Sequence, residues 1–292
     1  MIDLIIPTLS QGLLWSLLAL GVYITFRVLD FADMTVEGSF PLGAAICVYF
    51  LIRDHHPLLA LLAAGLLGGV AGIVTGLLHT KLRIPSLLAG ILSMIALYSV
   101  NLRIMGKANV SLLGKETAFT YMETLGLDYA QSVFIVGLLA TVVIGTLIYW
   151  FFGTEIGAAI RATGFNPQMI RAQGIDTNVM LLLGLFLSNA LTAMAGAFIG
   201  MNNGFFDVGM GVGTIVIGLA SVIIGEVLFG TRSFKNSLVS VILGSIVYRF
   251  VIAIVLQMGM PPNDLKLFTS VLVIIALALP MMRDKVQRRK VG

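Results

Sequence analysis

Apolar runs of membrane-spanning length alternate with short polar stretches along almost the whole chain. A transmembrane helix needs about 20 mainly apolar residues, and these runs are continuous rather than alternating, so they predict helices and not the strands of a barrel. The pattern predicts an all-α, polytopic helical membrane protein in which residues 1–292 form a single transmembrane domain. About nine membrane segments are expected, at residues 4–26, 39–52, 58–78, 84–105, 132–152, 177–201, 212–229, 236–258 and 266–282.

Two of these runs are short for a membrane crossing. The run at 39–52 has few residues for a full span, and the run at 212–229 follows Gly209, Gly211 and Gly213. Short or glycine-interrupted spans are typical of helices that break in mid-membrane, where freed backbone groups can face a substrate cavity. A tilted helix followed by a surface loop explains the same pattern. One or two broken or short helices are therefore expected.

The positions of Lys and Arg predict the orientation of the chain. Of the 292 residues, 58% are hydrophobic and 11% are charged, against roughly 25% charged in a globular domain. If the segments alternate, twelve of the 18 basic residues fall on the side of the C-terminus. Because cytosolic loops are rich in Lys and Arg, the N-terminus is expected outside, with a basic cytosolic tail at 283–292. The net charge is only +4, so nucleic acid is not an expected partner.

A polar stretch at 153–177, GTEIGAAIRATGFNPQMIRAQGIDT, falls on the cytosolic side in this scheme. Asn166 is a good N-cap, Pro167 suits the first helical turn, and Gly174 suits the position after the last turn. Residues 167–173 are therefore predicted to form a helix of about two turns, which is too short to be stable alone in water. It needs a surface to dock on, and a soluble partner is predicted to supply that surface.

Three carboxylates lie close together in the segment RVLDFADMTVEGSF, at Asp30, Asp33 and Glu37. Their spacings of three and four place them on one face of a helix, where they would line a pore or hold a cation. A solvated loop between two helices explains the same residues. If these three residues hold a cation, they favour an alternative in which the protein is a secondary transporter driven by an ion gradient.

Two further ionisable residues, Glu226 and Arg249, fall within apolar runs. Charged groups are costly in hydrocarbon and usually face a bundle interior or a cavity. Glu226 is close to the inner end of its run, so its side chain can also extend to the interface. Arg249 is deeper and is expected in a buried pair, for which Glu226 is one candidate partner. Like Asp30, Asp33 and Glu37, Glu226 is predicted to line a translocation path for a solute through the membrane.

Polar residues near the predicted outer side provide another candidate site. Asn202 and Asp207 flank two phenylalanines in the segment MNNGFFDVGMGVG, and Asn189 lies in the apolar run that precedes this segment. Amides beside aromatic rings and a glycine hinge suit contact with a small amphipathic solute. A plain Asn-Gly turn at Asn203 and Gly204 explains part of the motif.

The motifs of several enzyme classes do not occur in the sequence. His55, His56 and His79 lack metal-ligand spacing, so no metal site is predicted. The sequence contains neither the phosphate-binding pattern G-x-x-x-x-G-K-[ST] nor a G-x-S-x-G elbow. The chain is therefore not expected to be an enzyme or to bind a cofactor, and any ATP hydrolysis would take place in another chain.

Three segments carry a family resemblance. The run IRATGFNPQMIRAQGIDTNVMLLLGLFLSNALTAMAGAF resembles the cytosolic loop and following helix of permease subunits in the branched-chain amino acid and ribose group of ABC importers. The segments ALGVYITFRVLDFADMTVEGSF and VIIGEVLFGTRSFKNSLVSVILGSIVY are similar to other parts of that family, so the resemblance covers nearly the whole chain. Within the family, DFADMTVEGSF is similar to the subgroup labelled tryptophan/tyrosine, or amino acid, permeases.

The resemblance implies a permease of the bacterial cell membrane that forms the path for a small solute, an amino acid or similar. It implies a second permease copy as a homodimer, cytosolic ATPase subunits that bind ATP and Mg²⁺, and an extracytoplasmic solute-binding protein. The lipid bilayer is expected to surround the permease. Carried over residue by residue, it places six residues at the ATPase contact: Arg161, Gly164, Asn166, Pro167, Arg171 and Gly174.

Overall fold

The computed structural model describes residues 2–123, 126–259, 261, 264, 265, 267–271, 273 and 274. The predicted basic tail at 283–292 and much of the run at 266–282 lie outside the described residues. Eleven α-helices are present in the described part: α1 (Ile2–Tyr23), α2 (Val36–Leu51), α3 (Pro57–Thr80), α4 (Ser86–Met105), α5 (Thr120–Glu123), α6 (Tyr129–Phe152), α7 (Glu155–Phe165), α8 (Pro167–Ala172), α9 (Thr177–Asn203), α10 (Thr214–Phe229) and α11 (Phe234–Gln257).

Smaller elements complete the fold. The first helix continues as a π-helical turn, Ile24–Val28, and a 3₁₀ turn, Val208–Gly211, precedes α10. Two short strands, β1 (Asn109–Ser111) and β2 (Phe205–Asp207), pair antiparallel with Val110 opposite Phe206. The sequence analysis did not foresee these strands, because their partners lie far apart in the chain.

The described residues contain seven helices long and apolar enough to cross a membrane, and α2 is a shorter apolar helix. The protein is therefore an all-α polytopic membrane protein with seven to eight spanning helices in its described part. Eight of the nine predicted runs correspond to these helices. The ninth, at 266–282, falls largely on residues outside the description.

The most extensive contact between two helices in the described part of the chain is that between α3 and α9. Added methyl groups at Gly68 and Gly72 would overlap Ala193 and the Leu185 carbonyl group of α9. In a membrane, small residues let helix backbones approach closely and gain van der Waals contact. The glycine face of α3 therefore serves tight packing against α9.

Both short helices begin inside the bundle. Residues 29–35 are not helical, and the side chain of Asp33, just before α2, contacts Asn189 of α9. Asn189 lies about 18 Å along a helix of about 40 Å, so α2 begins near mid-helix. The first turn of α2 meets the start of α10, where the Gly213 N–H donates to Glu37 Oε1 at 3.0 Å. Of the two sequence interpretations, these contacts favour the broken helix.

Candidate functional site

A carboxylate is buried without a cation between the start of α2 and the middle of α9. Asp33 is 0% exposed, and both of its carboxylate oxygens accept hydrogen bonds. Oδ1 accepts from the Thr35 backbone N–H at 2.9 Å, and Oδ2 accepts from Asn189 Nδ2 at 2.7 Å. The described residues form two ion pairs, Arg27–Glu226 and Lys115–Asp54, and neither includes Asp33. Hydrogen bonds therefore hold this charge in place.

The amide of Asn189 joins three elements. Nδ2 also donates to the Leu185 carbonyl of α9 at 3.0 Å, and Oδ1 accepts from the Ser39 hydroxyl of α2 at 2.6 Å. The segment before α2, α2 itself and α9 are thus held by one side chain.

A row of hydroxyl groups extends these contacts to α3 and α4. Thr35 and Thr75 hydroxyls lie 2.7 Å apart, and the Thr75 hydroxyl donates to Ser93 Oγ at 2.7 Å. All these side chains are buried, and buried polar groups of this kind hold a unique arrangement when each is satisfied. We name the set the buried polar network: Asp33, Thr35, Ser39, Thr75, Ser93 and Asn189.

The prediction that Asp30, Asp33 and Glu37 share one helical face is wrong. Residues 29–35 are not helical, and Asp30 is exposed with a φ of +51°. Asp33 bonds to Asn189, whereas Glu37 bonds to the start of α10. Asp33 and Glu37 therefore meet different partners while Asp30 is exposed, and the three do not form a common cation site.

The partner of Glu226 is Arg27 and not Arg249. Arg27 Nη2 lies 2.5 Å from Glu226 Oε2, which joins the π-helical turn after α1 to α10 near its C-terminal end. Arg249 instead places its guanidinium 3.9 Å from the ring centre of Trp15. The candidate pairing of Glu226 with Arg249 is therefore not formed.

The structure does not bring Asn189 together with Asn202 and Asp207. Asn189 faces Asp33, and the carbonyl of Asn202 accepts from the Tyr129 hydroxyl at 3.1 Å. Asp207 accepts from the Gly209 N–H at 2.7 Å and from Asn109 Nδ2 at 3.2 Å. Asp207 thus fixes the β1–β2 pair and the 3₁₀ turn. The left-handed φ of +73° at Gly204 agrees with the expected Asn-Gly turn.

The predicted short helix is present as α8, one residue shorter than expected. Asn166 is its N-cap and accepts the Met169 N–H at 3.0 Å, with Pro167 in the first turn. Gly174 follows the helix with a φ of +82°, which suits glycine. Helix α7 was not among the predicted elements, although Thr154 caps it by accepting the Gly157 N–H at 3.3 Å. A Thr followed by Glu155 is a local signal of that start.

Two arginines predicted at the ATPase contact have partners within the chain. The guanidinium of Arg161 lies 5.1 Å from the centre of the Phe234 ring of α11. Arg171 Nε donates to the Thr177 hydroxyl at 2.7 Å. Both residues are exposed, so these contacts leave part of each side chain accessible.

The junction between α7 and α8 presents one face outward and one inward. Phe165, at the end of α7, is 92% exposed, and Met169 of α8 is also exposed. Beside Phe165, an added methyl group on Gly164 would overlap the Val28 carbonyl and crowd Leu29. Helix α7 therefore rests directly on the segment that leads from α1 to Asp33.

Seven apolar spans packed around buried polar side chains define a polytopic helical membrane protein. The family described as "Branched-chain amino acid transport system / permease component" matches residues 4–278, and the chain belongs to this family. It is therefore the permease component of an ABC importer, a multi-pass protein of the bacterial membrane, and not itself catalytic. Membership implies ATPase and binding-protein partners, with ATP hydrolysis in the ATPase. The family resemblance of the sequence is confirmed.

Individual relatives span nearly the whole chain. It is 41% identical over 274 residues to the tyrosine transport system permease protein of Clostridioides difficile (94% of this chain, 90% of that protein). It is 32% identical over 287 residues to an uncharacterized protein of Rickettsia prowazekii (97% and 99%). It is 25% identical over 269 residues to the fructose import permease protein of Rhizobium meliloti (87% and 71%). No solved structure matches the chain.

Proposed function

We propose that this permease imports an amino acid, working as a homodimer with a solute-binding protein outside and ATPase subunits in the cytosol. The 41% identity to a tyrosine permease, against 25% to a fructose permease, supports an amino acid cargo. The bias of Lys and Arg supports an N-terminus outside and a cytosolic loop at 153–177.

The exposure of Phe165 carries the assignment of the ATPase contact. An aromatic side chain that is 92% exposed beside polar residues suits burial against another protein. Asn166, Pro167 and Gly174 fix the shape of α8, and Arg161 and Arg171 flank it. Phe165 at the end of α7 and Met169 in α8 are both exposed, and they supply the apolar side chains of the proposed docking surface.

Contacts within the chain provide a route for movement from this surface to the membrane interior. Gly164 lies against Val28 and Leu29, and the chain continues from there to Asp33 in the buried polar network. A displacement of α7 would therefore press on the segment before α2. ATP binding shifts the permease between conformations only if the docking surface contacts the ATPase differently in each.

The residues predicted to line the translocation path fall into a buried group and an exposed or partly exposed group. Asp33 and Asn189 are buried, so we assign them to holding the broken helix rather than to contact with solute. Asp30 is exposed and Glu37, Asn202, Asp207 and Glu226 are partly exposed, so these five are the candidates for solute contact.

Replacement of Phe165 tests the docking surface. In the importer purified with its ATPase subunits, Phe165→Asp should reduce both the bound ATPase and solute uptake at least about tenfold, because a charge replaces a buried aromatic anchor. Leu113→Asp is the matched control, since Leu113 is 94% exposed and lies just after β1, away from α7 and α8. Normal ATPase binding and uptake in Phe165→Asp would refute the assignment.

Competition for uptake tests the cargo. In vesicles that contain the binding protein and the ATPase, unlabelled L-tyrosine or L-phenylalanine should compete with labelled L-tyrosine, whereas fructose should not. Uptake driven by an imposed ion gradient without ATP would instead indicate a secondary transporter.

A further inference from the structure

Arg249 is a cation inside an apolar span for which the described residues supply no anion. It lies about 12 Å from the C-terminal end of α11, at 1.5 Å per residue. Neither of the two ion pairs in the described part of the chain includes it, and its buried Nε has no hydrogen-bond partner there. A charged group in this position is costly and usually faces a cavity with a function.

Aromatic rings cover one face of the guanidinium. Its carbon lies 3.9 Å from the centre of the Trp15 ring, and Trp15 stacks on Phe40 of α2 at 5.5 Å between ring centres. A cation–π contact stabilises the charge, but a ring face offers no acceptor to the five N–H groups of an arginine. The stack therefore fixes the orientation of Arg249, while its buried Nε has no hydrogen-bond partner among the described residues.

A cavity of about 320 Å³ lies beside Arg249, between α10 and α11. Arg249 is the one charged residue among its described lining residues, and most of the others are apolar, including Val212, Val216, Ile217 and Ile252. Small-molecule sites have this composition, with apolar walls, a few polar groups and volumes from about 300 Å³.

The start of α10 does not supply the anion site. Gly213 lines the same cavity, but its N–H already donates to Glu37 at 3.0 Å. Glu37 thus offsets the positive end of the α10 dipole. Arg249 remains as the charged group that an anion in this cavity would meet, beside the hydroxyl-bearing residues Tyr248, Thr269 and Ser270 of the lining.

We propose that Arg249 binds the carboxylate of the amino acid during its passage, while the apolar walls of the cavity hold the side chain. The proposal rests on the amino acid cargo proposed above. Arginine presents paired N–H donors that match a carboxylate, and it is less strongly hydrated than lysine. A lipid phosphate shares this chemistry, but headgroups lie at the interface, whereas Arg249 lies within the apolar span.

Trp15 supplies a direct reporter of binding. The chain has two tryptophans, Trp15 and Trp150, so Trp150→Phe leaves only the one that stacks on Arg249. In the purified Trp150→Phe permease, L-phenylalanine and 3-phenylpropionate should change Trp15 emission saturably, whereas phenethylamine, which lacks the carboxylate, should not. Added phosphatidylglycerol should not remove the response.

Variants of Arg249 assign the response. Arg249→Gln should weaken the binding of 3-phenylpropionate at least about tenfold, because a hydrogen bond to a charged group is lost. Arg249→Lys should bind 3-phenylpropionate more tightly than Arg249→Gln but less tightly than the unaltered permease. Arg103→Gln, at the exposed end of α4, is the matched control and should bind as the unaltered permease does. Equal responses to 3-phenylpropionate and phenethylamine, or an unchanged response in Arg249→Gln, would overturn the proposal.

Uptake by the complete importer separates this proposal from the cargo assignment. Arg249→Gln should lower L-tyrosine uptake at least about tenfold while the ATPase subunits still co-purify, and normal uptake in this variant would refute the role of Arg249 alone. If the unaltered importer takes up no amino acid but Trp15 still reports carboxylates through Arg249, the cargo assignment fails and the carboxylate site stands.

Discussion

Removing the Asn189 side chain should show how strongly the buried polar network holds the broken helix. Asn189→Leu keeps a similar volume but removes the N–H donor to Asp33 and the acceptor for Ser39, at 2.7 and 2.6 Å. Among the described residues, Asp33 then keeps only Thr35 as a hydrogen-bond partner. A buried charge that loses a hydrogen bond costs about 1.5–3 kcal/mol, so the free energy of unfolding should fall by about 2–3 kcal/mol.

A double-mutant cycle isolates the contact between the two side chains. Side-chain hydrogen bonds between membrane helices contribute about 0.6 kcal/mol on average and about 1.7 kcal/mol at most. Because both oxygens of Asp33 accept N–H donors and carry its charge, the coupling of Asn189→Leu with Asp33→Leu should lie near the upper value, about 1.5 kcal/mol.

The measurement is unfolding of the detergent-solubilised permease by sodium dodecyl sulfate, followed by circular dichroism. Ser188→Ala is the neighbouring control, since it removes one uncharged hydrogen bond to the Gly21 carbonyl, at 2.8 Å, and should cost only about 0.6 kcal/mol. Additive effects of the Asp33 and Asn189 changes, or a loss in Asn189→Leu no larger than in Ser188→Ala, would refute the reasoning.

Two further substitutions test contacts at the proposed cytosolic end of the helical bundle. Gly164→Ala should impair uptake while the ATPase still binds, because the added methyl group would overlap the Val28 carbonyl. Gly145→Ala is the control and should transport normally, since its methyl group would lie 3.7 Å from Ile242. Equal uptake by the two variants would contradict the proposed route. Glu226→Gln should lower the free energy of unfolding by less than about 1 kcal/mol, since its partner Arg27 is 52% exposed, and added salt should shrink the difference. A large, salt-independent loss in unfolding titrations would argue against this estimate.

Features set by local sequence were predictable. Lipid requires long apolar helices, so composition alone located the spans. Asn166, Pro167 and Gly174 specify α8 within a few residues, since caps act on neighbouring backbone groups. Thr154 offered a similar signal for α7. These elements depend on neighbouring residues, and the chain can be inspected for them directly.

The buried polar network depends on residues far apart in the chain. The Ser39–Asn189 bond joins positions 150 residues apart, and hydroxyls such as Thr75 within apolar runs are too common to mark a site. The three carboxylates were misinterpreted for a local reason. The Asp33 side chain accepts the Thr35 N–H, a bond that competes with helix formation, so the helical spacing of the acids did not apply.

The start of α2 connects the features on which transport is proposed to depend. The segment before α2 lies against Gly164 and contains Asp33. In the first turns of α2, Glu37 caps α10 at Gly213 and Phe40 stacks on Trp15. Gly213 also lines the cavity beside Arg249. A shift of this one segment would therefore alter the cavity wall and the aromatic support of Arg249 together. We expect Gly164→Ala to change Trp15 emission in the Trp150→Phe background, and an unchanged spectrum would show that movement from α7 stops before it reaches the cavity.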